Sequence, residues 1–267
     1  MKISKLALFA ILISVAALAD TGFLDRSITI KGHAYPFQVY VPPNYSSTTL
    51  WPVVVYLHGN GHQGNDGLRQ TVAAFADSIR EKRSLFPAIV IFPQAPVGAA
   101  WFYLEMQDLV MAELDQTIAE FHGDPSRIYL TGFSMGATGA YRIAYHRPHK
   151  FAALVAIAGR IEPGSAYTAE AVKVDRETNP FVGTPDPFTS LALQIKNLPI
   201  WIFHGDNDEA VPVEQSRRLV AALKKAGATV TYTEYPGVNH VEAAQKAYAD
   251  TDMIAWFFAQ RQPMSPP

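Results

Sequence analysis

Several short runs along the chain are rich in apolar and β-branched residues: Trp51–Leu57 (WPVVVYL), Ala88–Phe92, Ile128–Phe133, Leu154–Ala158, Ile200–Phe203 and Thr229–Tyr235. Runs of this length without a polar face predict strands covered on both sides. Ser27–Val41 differs, because Ile28 and Ile30 alternate with polar residues, Gly32 and His33 can turn, and Phe37, Val39 and Val41 alternate again. That pattern predicts an antiparallel hairpin at a sheet edge. Between the runs the period lengthens. Within Leu104–Phe121 the residues Val110, Leu114, Ile118 and Phe121 form one helical stripe, and shorter helices are expected at Gly136–Tyr145, Val213–Ala226 and Met253–Phe258. Arg160–Ser190 has little periodicity and several Gly and Pro, and reads as a surface excursion at a pocket rim.

Strands alternating with helices predict an α/β fold, with a mostly parallel central sheet, helices on both faces and the antiparallel hairpin at one edge. Ligands of such sheets bind at the carboxyl ends of the strands. Neither an internal repeat nor a long linker interrupts the pattern, so residues 20–267 are expected to form a single catalytic domain.

The first 19 residues stand apart. Lys2 and Lys5 precede an apolar run, and Ala17-Leu18-Ala19 offers a small-x-small site before Asp20. This is the pattern of a signal peptide cleaved between Ala19 and Asp20, and it predicts a secreted or periplasmic protein with no stable membrane span after processing. The whole chain has 267 residues and a formal charge of -2. Cleavage would remove two lysines, leaving a more acidic chain with no basic block, which argues against a nucleic-acid partner. The absence of cysteine excludes thiolate metal sites, cysteine nucleophiles and disulfides.

Candidate chemistry gathers at the predicted strand ends. Gly132-Phe133-Ser134-Met135-Gly136 sits between a strand and a helix, a turn that presents a serine hydroxyl above a sheet. Met135 N–H can face an oxyanion there. Leu57-His58-Gly59-Asn60-Gly61 follows the WPVVVYL strand and can supply a second backbone donor, from Asn60 with Gly61 in reserve. His58 is read as bonded within that loop and His62 as a weaker rival base. Asp206, Asp208 and Glu209 crowd the loop after Phe203, with Val211 and Pro212 following; His204 reads as structural. His240 ends Tyr235-Pro236-Gly237-Val238-Asn239-His240, a loop after the last strand. Serine, acid and histidine in this order make a nucleophile, an orienting carboxylate and a base.

Together LHGNG, DPSRIYLTGFSMGATGAYRIA, HGDNDEAVP and YPGVNH resemble the α/β-hydrolases over nearly the whole chain after the leader. Within that superfamily the chain is similar to capless carboxylesterases and phospholipases, feruloyl esterases, dienelactone hydrolases and the catalytic domain of prolyl oligopeptidases. The resemblance implies Ser134 as nucleophile, Asp208 as acid and His240 as base, with Asn60 and Met135 N–H as oxyanion donors. It also implies a pocket wall at Gln94 and Trp101. Many fungal feruloyl relatives carry disulfides; this chain has none. The expected activity is hydrolysis of short-chain acyl or aromatic-acid esters, small or polymer-linked, without cofactor or metal. The alternative is a serine peptidase or aminoacyl hydrolase. No motif specifies the acyl length, the alcohol or the oligomeric state.

Overall fold

The computed structural model describes residues 20–164 and 167–262. The expected leader at residues 1–19 lies outside them. Among the described residues no helix is long and apolar enough to cross a membrane.

The sheet has eight strands: β1 (Gly22–Ile30), β2 (His33–Val41), β3 (Trp51–Leu57), β4 (Ile89–Phe92), β5 (Gly123–Phe133), β6 (Ala153–Ile157), β7 (Ile200–Gly205) and β8 (Val230–Tyr235). Their order is β1-β2-β4-β3-β5-β6-β7-β8. β2 pairs antiparallel with both β1 and β4, and the remaining pairs are parallel. The hairpin turns at Lys31 and Gly32, both with positive φ, a tight turn whose twist matches that of the strands.

Eight α-helices accompany the sheet among the described residues: α1 (Ala74–Glu81), α2 (Leu104–Phe121), α3 (Met135–His146), α4 (Ala169–Thr178), α5 (Pro187–Ile195), α6 (Glu214–Lys225), α7 (His240–Ala249) and α8 (Thr251–Ala259). Alternate residues of β3 feed two cores. Val53, Val55 and Leu57 pack with residues of α2, α3, α5 and α6, whereas Val54 and Tyr56 pack with α1, α7 and α8. This two-sided burial is why WPVVVYL carries no polar face.

The structure departs from the sequence reading in several places. β8 closes one edge of the sheet and is only half-buried, so Thr229–Tyr235 is not covered on both sides, as its three Thr and one Glu allow. α1 is not among the expected helices. β5 begins at Gly123, because Gly123 pairs with Trp51 before a register shift brings Ile128 opposite Val53. Asp124 accepts from Ser126 N–H and Arg127 Nε within that shift, so polar residues that look like a loop remain in the strand. The stretch from Arg160 to Ser190 contains α4 and the start of α5. Finally, His240 is the first residue of α7, where Asn239 caps the helix through Val241 and Glu242 N–H, rather than part of a loop.

Candidate active site

Ser134 sits between β5 and α3 with φ 56 and ψ -117, a conformation L-residues rarely adopt. The two flanking glycines allow it. A Cβ on Gly136 would lie 1.8 Å from the Leu57 carbonyl oxygen, and one on Gly132 would lie 2.5 Å from the Gly136 carbonyl carbon. The tight strand–helix turn therefore excludes side chains at both positions. Ser134 N–H donates to Ile157 O at 2.9 Å, tying the turn to β6.

His240 arrives from the far end of the sheet. Its Nε2 is 2.8 Å from Ser134 Oγ, and its Nδ1 is 2.6 Å from Asp208 Oδ2. The ring lies against Phe133, with centroids 4.7 Å apart. The Asp208 side chain is fully buried. Its Oδ1 accepts from Ala210 and Val211 N–H at 2.9 and 2.8 Å. Burial pushes its carboxyl up, but hydrogen bonds from His204, His240 and Val211 outweigh that and hold it well below the ordinary carboxylate value.

The other two carboxylates of the loop go elsewhere. Asp206 accepts from Gly237 N–H at 2.6 Å and so braces the turn before His240. Glu209 is exposed. His204, assigned a structural part from sequence, proves to touch Asp208. Its Nε2 is 3.1 Å from Asp208 Oδ2 and 2.9 Å from Val211 O, and its Nδ1 is 2.7 Å from Ser216 Oγ. The two oxygens around Nε2 are acceptors, so the proton belongs on Nε2 and Nδ1 accepts from the serine. His-Gly before the acidic residues was the only sequence signal for this contact.

His58 is bonded within its own loop, as read. Its Nδ1 donates to Gly59 O at 2.7 Å, and its Nε2 accepts from Ala95 N–H at 3.0 Å. Burial holds the imidazole neutral, lowering its pKa to about 4. His62 Nε2 meets Val72 O at 2.6 Å, away from Ser134.

A cavity of about 420 Å³ opens beside Ser134. Asn60, Met135, Phe102, Tyr103, Tyr167 and Arg160 are among its walls. Asn60 begins a 3-10 turn and Met135 begins α3, and among the described residues neither N–H has an acceptor. Both are therefore available to a ligand oxygen.

The wall expected at Gln94 and Trp101 is displaced. Trp101 is fully buried behind the cavity, donating from Nε1 to His58 O at 3.0 Å, while its neighbours, the buried Phe102 and the half-buried Tyr103, line the cavity. Gln94 is also buried and supports the preceding loop, accepting from Gly67 N–H and donating to Asp66 at 2.8 Å. Both residues shape the loops that form the wall without lining it. The excursion after Arg160 does reach the rim, through Tyr167, Thr168 and Ala171.

Known proteins carry the same architecture. The solved structure of a thermostable esterase is 28% identical, with a TM-score of 0.70 over 90% of this chain and 63% of its own. An S-formylglutathione hydrolase from Agrobacterium tumefaciens is 22% identical and shares the fold at a TM-score of 0.67, over 93% of this chain and 99% of its own. Among curated proteins, esterase LipQ of Mycobacterium tuberculosis is 29% identical over 189 residues, which is 57% of this chain and 43% of LipQ. The chain thus spans less than half of that relative's length. The fold is that of the α/β-hydrolases. The prolyl oligopeptidase family model matches residues 101–262, from the buried Trp101 past Ser134, Asp208 and His240. That match covers more than half of the chain, and on it the chain belongs to the prolyl oligopeptidase family.

Proposed function

We propose that the protein hydrolyses carboxylic esters through an acyl-enzyme on Ser134. The observation that carries this reading is the 2.8 Å contact between Ser134 Oγ and His240 Nε2 at the mouth of the cavity. His240 takes the hydroxyl proton as Ser134 Oγ attacks the ester carbonyl. Asp208 accepts from His240 Nδ1–H, fixing the tautomer and stabilising the imidazolium. Met135 and Asn60 N–H receive the negative charge on the former carbonyl oxygen. The alcohol leaves with the proton from His240. Water, deprotonated by the same ring, then attacks the acyl group and releases the acid, returning the proton to Ser134.

The esterase relatives support ester substrates. The family match keeps a second reading in view, cleavage of peptide or aminoacyl bonds by the same groups. A panel of 4-nitrophenyl esters, feruloyl esters and peptide anilides, run on wild type and S134A, separates the two. Ester turnover that S134A abolishes is the expected result. Turnover confined to the anilides would favour the peptidase, and S134A turnover equal to wild type would remove Ser134 from either mechanism.

We also propose that the protein is exported, with cleavage before Asp20 and one catalytic domain over residues 20–267. Lys2, Lys5 and the apolar run ahead of Ala17-Leu18-Ala19 support this reading. Intact-mass analysis of protein recovered from an exporting host should give a chain starting at Asp20; one starting at Met1 contradicts it.

A further inference from the structure

Among the described residues that line the cavity beside Ser134, Arg160 alone carries a charge. It stands just past β6, next to β5, the strand that leads into Ser134. Its backbone is pinned on both sides. Arg160 N–H donates to Thr138 Oγ1 at 2.9 Å, and Arg160 O accepts from Arg142 Nη1 at 3.1 Å. Arg142 is itself buried and held by Asp175 at 2.7 Å. The Arg160 side chain therefore starts from a fixed point.

Its guanidinium donates from Nη2 to Ala210 O, and Ala210 also lines the cavity. A guanidinium has five N–H donors in a planar fork. Among the described residues no carboxylate pairs with this one: Glu209, beside Ala210, is exposed, and the other neighbouring acids have partners of their own. Glu162 pairs with Arg218 at 2.7 Å, Asp175 with Arg142, and Asp208 with its two histidines. A positive fork left without a counterion, on the wall of a half-enclosed site, matches the planar two-oxygen geometry of a carboxylate.

We propose that Arg160 selects esters that carry a carboxylate away from the scissile bond. The inference rests on the ester-hydrolase reading and names its substrate class. The carboxylate can belong to either half of the ester, and two matched pairs distinguish the halves. For the acyl half, mono-(4-nitrophenyl) glutarate is compared with 4-nitrophenyl valerate. For the alcohol half, 4-acetoxybenzoate is compared with 4-acetoxybenzamide.

In wild type, one pair should show kcat/KM at least about tenfold higher for the anionic member, the scale of a charge-assisted hydrogen bond. In R160Q that ratio should fall to near one, mainly through KM, while R160K retains part of it. A clamp that merely braced the Ala210 loop would lower both members of a pair together and leave the ratio standing; that result overturns the proposal. So does a wild-type ratio of one or less in both pairs, which needs no variant and leaves the ester-hydrolase reading intact as long as the neutral esters turn over. Turnover of none of the four esters would fail that reading, and the proposal with it.

Discussion

His204 and His240 both reach the same atom of Asp208. His240 Nδ1 lies 2.6 Å and His204 Nε2 3.1 Å from Oδ2, on a carboxylate whose other oxygen is taken by two backbone N–H groups. A buried carboxylate with every acceptor position occupied has little freedom to rotate, and that fixes the direction in which His240 points at Ser134. Removing one hydrogen bond to a charged group costs about 1.5–3 kcal/mol, so H204A should lower kcat by roughly 10–100-fold with a smaller effect on KM. H204Q, which keeps a donor near the Nε2 position, should recover part of the loss. Steady-state kinetics of the folded variants checks both, and unchanged kcat in H204A would reduce His204 to packing.

Asp206 and Asp208 are two residues apart but have separate tasks. D208N should lower turnover by about 10³–10⁴-fold, because an amide oriented as a donor favours the wrong imidazole tautomer. D206N keeps a side-chain oxygen that can accept from Gly237 N–H and loses only the charge behind that bond, so any loss of rate should be small and follow its loss in Tm. Kinetics and melting curves on the two variants make the comparison. Near-normal D208N beside an inactive, well-folded D206N would reverse the assignment.

The turn under Ser134 leaves no space for side chains. G136A would place a methyl group 1.8 Å from Leu57 O, a backbone atom that cannot move aside without shifting β3. Destabilisation of about 3 kcal/mol, the upper end for overpacking, is expected. Gly61, in the adjacent loop, has open space around it, so G61A should melt like wild type. Thermal unfolding of the pair tests the contrast.

Acid should weaken the fold through His58. Its pKa falls from 6.5 to about 4 on burial, so the native state resists protonation. The stability this contributes is fully present above pH 6.5 and is lost as pH falls through the interval down to about 4. A difference of this size is on the order of 3 kcal/mol. Tm of wild type should therefore drop across that interval more steeply than Tm of H58Q, whose side chain cannot gain the proton. Parallel pH profiles would contradict this account.

Much of this arrangement is legible in the sequence. WPVVVYL and Leu104–Phe121 announce themselves through unbroken apolar character and a clean helical stripe, and both elements have the expected ends. Gly-x-Ser-x-Gly is readable because sterics at the turn leave no other choice of flanking residues. α7 is less visible. Its buried face is Ala243, Ala244, Ala247 and Tyr248, and alanines provide little contrast against a polar background. α1 does bury Phe75, Ala76 and Ile79 on one face, but it spans only eight residues and has no side-chain N-cap, whereas α4 buries only Asp175 and has no apolar period to detect. α5 starts at an Asp186 N-cap followed by Pro187, inside a stretch whose Gly and Pro content reads as a surface excursion. Trp101 shows a further limit of sequence: pattern places an aromatic near the site, but packing against Gly139 decides that it faces inward and that Phe102 and Tyr103 meet the cavity.

The central claim is that Ser134 is the nucleophile for ester hydrolysis. The most direct measurement is to titrate folded wild type with an aryl fluorophosphonate, follow residual ester turnover, and map the adduct by peptide mass spectrometry. The expected result is one phosphonyl group per chain, on Ser134, with activity falling in proportion to labelling and no label on S134A. Full turnover in completely labelled protein, or activity lost through an adduct on another residue, would contradict the account.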